Sequence, residues 1–295
     1  MFVEGPSDKA ALDAWSETLR MSFTEHNVTV ISMGGGEYAD RGAPIRTEVL
    51  EGISSKAPVP HLFVLDQDER GLEAIESLRK KLGERLHLLE ARELENYLLV
   101  PRALLSVLRA KYRDNDSILA RIERLSEGDV PRLFREQAER LYGTVLLKRI
   151  RAELKGLPGG MLTREMVAEL IPDVGSPVLA KLLAAKIEQR LQVHFTSLDI
   201  GRIVQDQKTK LDAEWAVPEN RLRLAPGEEL LGAVYEHIGS SYRKSKDVGQ
   251  IAQEMQEREI DSEIREVIKK VVALSATGMA PSEFLDGDGN RSKLA

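Results

Sequence analysis

The chain of 295 residues contains no cysteine, which excludes disulfide bonds, thiolate metal ligands and cysteine nucleophiles. The absence fits a reducing compartment, so we expect a cytoplasmic protein. Five histidines are present, but they show no metal-ligand spacing, and His61, within a predicted strand, is expected to be structural. The sequence therefore does not indicate a metal centre of the Cys and His type.

No stretch approaches the roughly 18 consecutive apolar residues of a membrane-spanning helix, and the N-terminus lacks a basic leader. We therefore expect a soluble protein with no membrane partner.

A net positive charge is also lacking, since the chain carries a net charge of −6. The acid excess lies in residues 1–100, which hold 18 Asp/Glu and 11 Lys/Arg, against 30 and 31 in the remainder. Such a surplus fits either a solvated surface or a phosphate site bridged by divalent cations.

The first hundred residues alternate short apolar runs with helical periodicity, the pattern of βαβ units with a parallel sheet. Strands are predicted at 2–4, 28–33, 61–66 and 86–89. Helices are predicted at 7–23, 45–54 and 71–82, with Ser7 as the N-cap of the first and Gly83 ending the third. Residues 1–100 are thus expected to form an α/β domain.

Strand signals fade after Arg92, and amphipathic helices are predicted at 103–113, 131–142, 145–154, 177–192, 199–215, 228–238 and 260–272. Turn residues connect them at 156–160, 216–227 and 239–246. We therefore expect an all-α helical domain at 101–275 and a flexible tail at 276–295.

Acidic residues stand where two predicted strands end, at the functional edge of a parallel sheet. Glu4 ends the first strand, Gly5 allows a tight turn, and Asp8 falls in the first turn of the next helix. Asp66 and Asp68 follow the third strand, and extended geometry directs both to one side. If these strands are neighbours, the four acids form an oxygen cage for two Mg²⁺ or Mn²⁺ ions, which suits phosphodiester cleavage. For Glu4 and Asp8 alone, the alternative is an interaction with the helix dipole.

The segments Val-Glu-Gly-Pro-Ser-Asp at 3–8 and Val-Leu-Asp-Gln-Asp at 64–68 resemble the Toprim domain, which topoisomerases, bacterial primases and several nucleases share. The resemblance covers residues 1–100. It implies a four-stranded parallel sheet between helices, with Glu4, Asp8, Asp66 and Asp68 as catalytic metal ligands.

The segment Arg-Glu-Leu-Glu-Asn-Tyr-Leu-Leu at 92–99 is similar to the one after the fourth strand of OLD-family (overcoming lysogenization defect) endonucleases. This resemblance implies that Glu95, together with Glu93, adds an acid to the metal site, although a helix start explains Glu93 equally well. It also implies that residues 97–99 pack against the helical domain. OLD proteins carry an N-terminal ABC-type ATPase, but no Gly-x-x-x-x-Gly-Lys-Ser/Thr loop is present. We therefore expect the nuclease region of a longer protein, with an ATPase partner upstream and with oligomerisation left open.

A lysine is also implied, since OLD nucleases are expected to bring one to the reacting phosphate, often in a Pro-Gly-Lys turn. This chain reads Pro-Gly-Glu at 226–228. The catalytic candidates are then Lys244 and Lys246 in the following loop, with Lys208 and Lys210 as further options.

Basic clusters at 148–151, 181–190 and 243–246 are candidates for a DNA track, because Lys and Arg supply most of the affinity for a phosphate backbone. The sequence therefore favours a Mg²⁺- or Mn²⁺-dependent endonuclease acting on DNA. A topoisomerase- or primase-like module would use the same acids. A topoisomerase also needs a nucleophilic tyrosine, and the tyrosines of this sequence offer no recognisable active-site motif. A Toprim relic that only binds nucleic acid is the third hypothesis.

Overall fold

The computed structural model describes residues 1–34, 47, 50, 59–67, 70, 72–153 and 200–277. The predicted helix at 177–192 lies outside these residues, as does that at 45–54 apart from Thr47 and Leu50, which are helical. The predicted tail lies outside them from residue 278 onwards.

Four short strands form one parallel sheet: β1 (Phe2–Val3), β2 (Ile31–Ser32), β3 (Phe63–Leu65) and β4 (Leu86–Leu88). The strand order is β2-β1-β3-β4, and each pairing is parallel. The predicted four-stranded parallel sheet is confirmed, with each strand shorter than predicted. Because β1 pairs directly with β3, the ends of these two strands are neighbours.

Ten α-helices accompany the sheet in the part of the chain that the structure describes. They are α1 (Pro6–Thr18), α2 (Leu72–Leu82), α3 (Pro101–Lys111), α4 (Asp116–Ile122), α5 (Asp129–Glu153), α6 (Ile200–Trp215), α7 (Pro218–Leu224), α8 (Gly227–His237), α9 (Lys244–Glu254) and α10 (Ser262–Thr277). Short 3₁₀ helices lie at Gly83–Arg85, Leu94–Leu98 and Glu257–Glu259. The helical region predicted after the sheet is confirmed. Among the described helices, none has the length and apolar character needed to cross a membrane.

Both faces of the sheet are covered. Phe2 and Phe63 pack in a small cluster with Leu78 and Leu82 of α2. Val3, on the other face, belongs to a larger cluster. This alternation follows from the period of two along a strand, and it explains why the strands are apolar on both sides.

The larger cluster joins the two predicted domains. It contains Trp15 of α1 together with Ile251 of α9, and the Trp15 indole N–H donates to Met255 Sδ at 3.2 Å. Helix α9 is thereby held against α1, so the first residues of α9 lie close to the carboxyl end of β1. The boundary proposed at residue 100 stays a prediction.

Several local predictions were wrong. Helix α1 begins at Pro6, so Ser7 is not its N-cap, and Gly5 has an ordinary extended backbone with φ −129°. The helices predicted at 131–142 and 145–154 form the single helix α5. Burial of Leu141 and Val145 on either side of Gly143 outweighs the cost of about 1 kcal/mol for a helical glycine. Gly83, with φ +56°, ends α2 as predicted.

Candidate metal centre

Glu4 and Asp66 meet at the adjoining ends of β1 and β3. Glu4 Oε1 accepts a hydrogen bond of 3.1 Å from the backbone N–H of Asp66. Their exposed fractions are 7% and 8%, so both carboxylates are buried. Asp66 Oδ1 in turn accepts from the backbone N–H of Leu94 at 3.0 Å, which connects the site to the segment after β4. The structure thus brings these two predicted site residues together.

Asp8 lies in the first turn of α1 and is directed back toward the end of β1. Its Oδ2 accepts a hydrogen bond of 2.7 Å from the backbone N–H of Gly5, so the side chain caps the helix. The residue is 5% exposed. Asp8 therefore stabilises the start of α1 as a capping residue, and it is also buried near the other acids.

Glu95 is the most deeply buried acid of the site, with an exposed fraction of 0%. It lies in the 3₁₀ helix Leu94–Leu98, and Lys244 Nζ is 2.6 Å from its Oε1. Its Oε2 has no hydrogen-bond partner among the described residues. Burial raises the pKa of Glu95 to about 7, against the opposing effect of Lys244 and with a further rise from Asp8 and Glu93.

Lys244 is the first residue of α9, and its ammonium group lies among the acids. Burial acts to lower the pKa of Lys244, but Glu95, with Asp8 and Asp66 beyond it, outweighs burial and raises that pKa above the usual value. Lys244 therefore stays charged.

The other predicted lysines lie in different surroundings. Lys246 is exposed, and Lys208 pairs with Asp212 on its own helix at 2.5 Å. Lys210 lines a cleft beside the site. Of the four candidates, Lys244 is the one that contacts a site acid within the described residues.

Arg70 is a site residue that the sequence analysis missed. Its Nη2 donates to Glu4 Oε1 at 2.7 Å, and its Nη1 donates to the backbone carbonyl of Asp66. The guanidinium group therefore ties the two strand ends together. Its place two residues after the Asp-x-Asp motif was the available signal, but the contact with Glu4 is a tertiary one that the local sequence does not specify.

Glu93 uses both carboxylate oxygens for contacts within the protein. Its Oε1 lies 3.1 Å from Arg92 Nε, and its Oε2 accepts from the backbone N–H of Gly227 at 3.0 Å. Glu93 thus joins the segment after β4 to the start of α8. Its role as a metal ligand stays a prediction.

The Pro-Gly-Glu turn lies directly against the site, although it carries no lysine. A Cβ on Gly227 would lie 2.7 Å from the backbone nitrogen of Asn96 and 2.7 Å from Glu95 Cβ. Asn96 Nδ2 donates to the carbonyls of Leu222 and Ala225, at 2.6 and 2.8 Å. The helical region therefore positions Glu95 through this close contact.

A second group of contacts fixes the same segment from α10. Glu263 Oε1 contacts His87 Nε2 at 2.8 Å and accepts from the backbone N–H of Glu90 at 2.9 Å. Its Oε2 accepts from the hydroxyl of Tyr97, which accepts from the N–H of Ala91 at 3.0 Å. The packing of residues 97–99 against the helices agrees with what the resemblance implies.

The donor set fits a hard divalent cation, because all the acids offer oxygen and Glu95 keeps one buried oxygen without a hydrogen bond from the described residues. Within the described ranges, however, no group of three or more His, Asp or Glu residues is arranged to hold a metal ion. Arg70 and Lys244 neutralise Glu4 and Glu95 instead. Asp68 lies outside the described residues, so its predicted role is not tested.

The four-stranded parallel sheet with acids at its edge agrees with the fold that the Toprim resemblance implies. Residues 1–68 match the family described as "Overcoming lysogenization defect protein-like, TOPRIM domain", which confirms the OLD-like Toprim region. The match indicates a nucleic-acid-processing module, and Toprim domains generally bind divalent metals. No curated protein and no solved structure matches the chain.

Proposed function

We propose that the protein is a divalent-metal-dependent nuclease that cleaves DNA phosphodiester bonds at the acid site by a two-metal mechanism. The observation that carries the proposal is the direct contact between Glu4 and the backbone of Asp66, which unites the two Toprim motifs at one edge. The burial of Asp8 and Glu95 beside them supports it, since clustered buried carboxylates require cations.

The chain's own residues divide the work in this proposal. Glu4, Asp8, Asp66 and Glu95, with Asp68 as the further predicted ligand, would hold Mg²⁺ or Mn²⁺. Metal bound by these residues would supply an activated water and charge stabilisation for the leaving oxygen. Lys244 is the cation placed to contact the phosphate, since its ammonium group already lies at the acids and remains charged. Arg70 fixes the relative position of Glu4 and Asp66.

Cleavage of supercoiled plasmid tests the proposal. The protein with Mg²⁺ or Mn²⁺ is expected to cut, and EDTA is expected to abolish cutting. Asp66→Asn and Asp66→Ala should each lower the rate by about 10²–10⁴-fold, because metal-assisted charge stabilisation supplies several kcal/mol.

Asp13→Asn is the matched control, because Asp13 is a half-buried acid of α1 that pairs with Lys9 at 2.7 Å. It should cut at the wild-type rate. Cutting that persists in EDTA, or that Asp66→Asn leaves unchanged, contradicts the nuclease assignment.

A second candidate function is nucleic-acid binding without cleavage. The neutralisation of Glu4 by Arg70 and of Glu95 by Lys244 favours it, because these pairs satisfy the acids without a metal. Calorimetric titration with Mn²⁺ separates the two functions. A nuclease takes up metal and loses that uptake in Asp66→Asn, whereas a binding module takes up none.

The topoisomerase-like alternative gains no support from Tyr242, the tyrosine whose electrostatic surroundings include Glu95. Burial and then the charge of Glu95 raise the pKa of Tyr242, so the phenol stays protonated and is a poor nucleophile. A covalent adduct between the protein and DNA would restore that alternative.

A further inference from the structure

A cleft of about 600 Å³ opens beside the candidate metal centre. One wall carries Gln67 and Arg70, which follow β3. The lining also includes residues of α5, α6 and α7, such as Arg149, Lys210 and Arg223. Arg70 also contacts Glu4, so the cleft borders the acid site.

The cleft is more basic than the rest of the protein. Its described lining contains five Lys or Arg residues and three Glu residues, in a chain whose net charge is −6. The basic residues are Arg149, Lys210 and Arg223, together with Arg70 and Arg92, which are buried and pair with Glu4 and Glu93. A local excess of positive charge next to an acidic site suits a ligand whose phosphates run past bound cations.

Three of these cations are available to a ligand at low cost. Arg149 pairs with Glu214 at 2.6 Å and Arg223 with Glu90 at 2.8 Å, but both acids are 43% or more exposed. Because each acid is solvated, these pairs contribute little, and a phosphate can replace the carboxylate. Lys210 is exposed and makes no ion pair within the described residues.

The size of the cleft points to one strand rather than to a duplex. A volume of about 600 Å³ is that of an ordinary ligand pocket, which accommodates a short stretch of a single strand. None of the described lining residues is aromatic, so the cleft offers no platform for base stacking. Recognition would therefore act on the backbone and tolerate any sequence.

We propose that this cleft binds the phosphate backbone of a single nucleic-acid strand and leads it to the acid site, with Arg149, Lys210 and Arg223 as phosphate contacts. The proposal rests on the proposed function for what happens at the acid site, but the binding itself does not require cleavage.

Fluorescence anisotropy in EDTA, with a labelled single-stranded DNA of mixed sequence and a matching duplex, tests the proposal without cutting. The single strand should bind more tightly than the duplex. Lys210→Ala and Arg149→Ala should each weaken its binding on the order of fivefold to tenfold at about 50 mM salt. Each should also lower the slope of log affinity against log salt by about 0.7, the value for one lost contact to a single strand.

Lys269→Ala and Arg113→Ala are the charge-matched controls. Both side chains are exposed, 53% and 79%, and neither lines the cleft. They should bind like the wild type. Absence of binding, a preference for the duplex, or cleft variants that match the controls would overturn the proposal.

The two proposals fail in different ways. If Asp66→Asn abolishes plasmid cleavage while Lys210→Ala binds the single strand like the wild type, the nuclease stands and the cleft proposal is wrong. If the cleft variants weaken binding while no metal supports cleavage, the cleft proposal stands and the nuclease assignment is wrong.

Discussion

The ammonium group of Lys244 lies 2.6 Å from Oε1 of the fully buried Glu95. This ion pair connects the first turn of α9 with the 3₁₀ helix that follows β4. It places a permanent positive charge where the proposed function requires divalent cations. The pair therefore links the stability of the helical region to the electrostatics of the candidate metal centre.

Replacing Lys244 by Met should destabilise the protein by about 1–3 kcal/mol, because the buried carboxylate of Glu95 loses its ionic partner. The free energy of unfolding in urea, measured at pH 8, where Glu95 of the wild-type protein is ionised in larger part, reports the effect. The double variant Lys244→Met/Glu95→Gln should recover most of the loss, because it removes the uncompensated charge. If the stability losses of Lys244→Met and Glu95→Gln simply add up in the double variant, the two residues are not coupled.

Gly227→Ala should lower the melting temperature by several degrees. The added Cβ would lie 2.7 Å from backbone and side-chain atoms of Asn96 and Glu95, and neither is the free end of a flexible side chain. A shift of the backbone around Glu95 is the expected response. Thermal unfolding followed by circular dichroism measures the change.

Gly232→Ala in the same helix α8 is the control for Gly227. A Cβ there meets no atom within 4 Å, so helix propensity alone should stabilise the protein by up to about 1 kcal/mol. A Gly227→Ala variant as stable as the wild type would contradict the close contact.

Glu263 should contribute stability that depends on pH. Burial acts to raise the pKa of Glu263, but the hydrogen bonds from His87, Tyr97 and the backbone of Glu90 outweigh it and hold the pKa below its ordinary value. Because the folded pKa is lower than the unfolded one, the contribution is complete well above about pH 4.3 and is lost as the pH falls through the folded value.

Glu263→Gln should therefore cost about 1–3 kcal/mol at pH 7 and much less near pH 3, as measured by urea unfolding at both values. Glu266→Gln on the same helix is the control, since Glu266 is 70% exposed and its loss should stay within about 0.5 kcal/mol. If the stability cost of Glu263→Gln grows as the pH falls, the predicted direction of the pH dependence is wrong.

The sheet edge could be predicted because strand ends and acids are local signals. The apolar run that ends at Asp66 and the short strand before Glu4 each identify a carboxyl end, and a parallel sheet brings such ends to one edge. The direct pairing of β1 with β3 was a condition of that argument, and the structure supplies it.

The cations of the site were harder to predict, because they depend on tertiary contacts. Lys244 was proposed from a connecting loop, whereas it begins a helix whose polar sequence and Gly249 hide its periodicity. Arg70 had only its place after the Asp-x-Asp motif as a signal, and the close approach of Gly227 to Glu95 had none, because both contacts depend on tertiary packing. The prediction of a break at Gly143 was wrong for a related reason, because packing overrode a weak helix former.

The central claim is that the acids at the ends of β1 and β3 hold divalent cations together with Glu95. A crystal of the protein soaked in Mn²⁺, with anomalous diffraction data, tests it most directly. We predict two manganese peaks in contact with carboxylates of Glu4, Asp8, Asp66 and Glu95, with Lys244 displaced from Glu95. Anomalous maps without manganese at these carboxylates, and with Arg70 and Lys244 still paired to Glu4 and Glu95, would contradict the account.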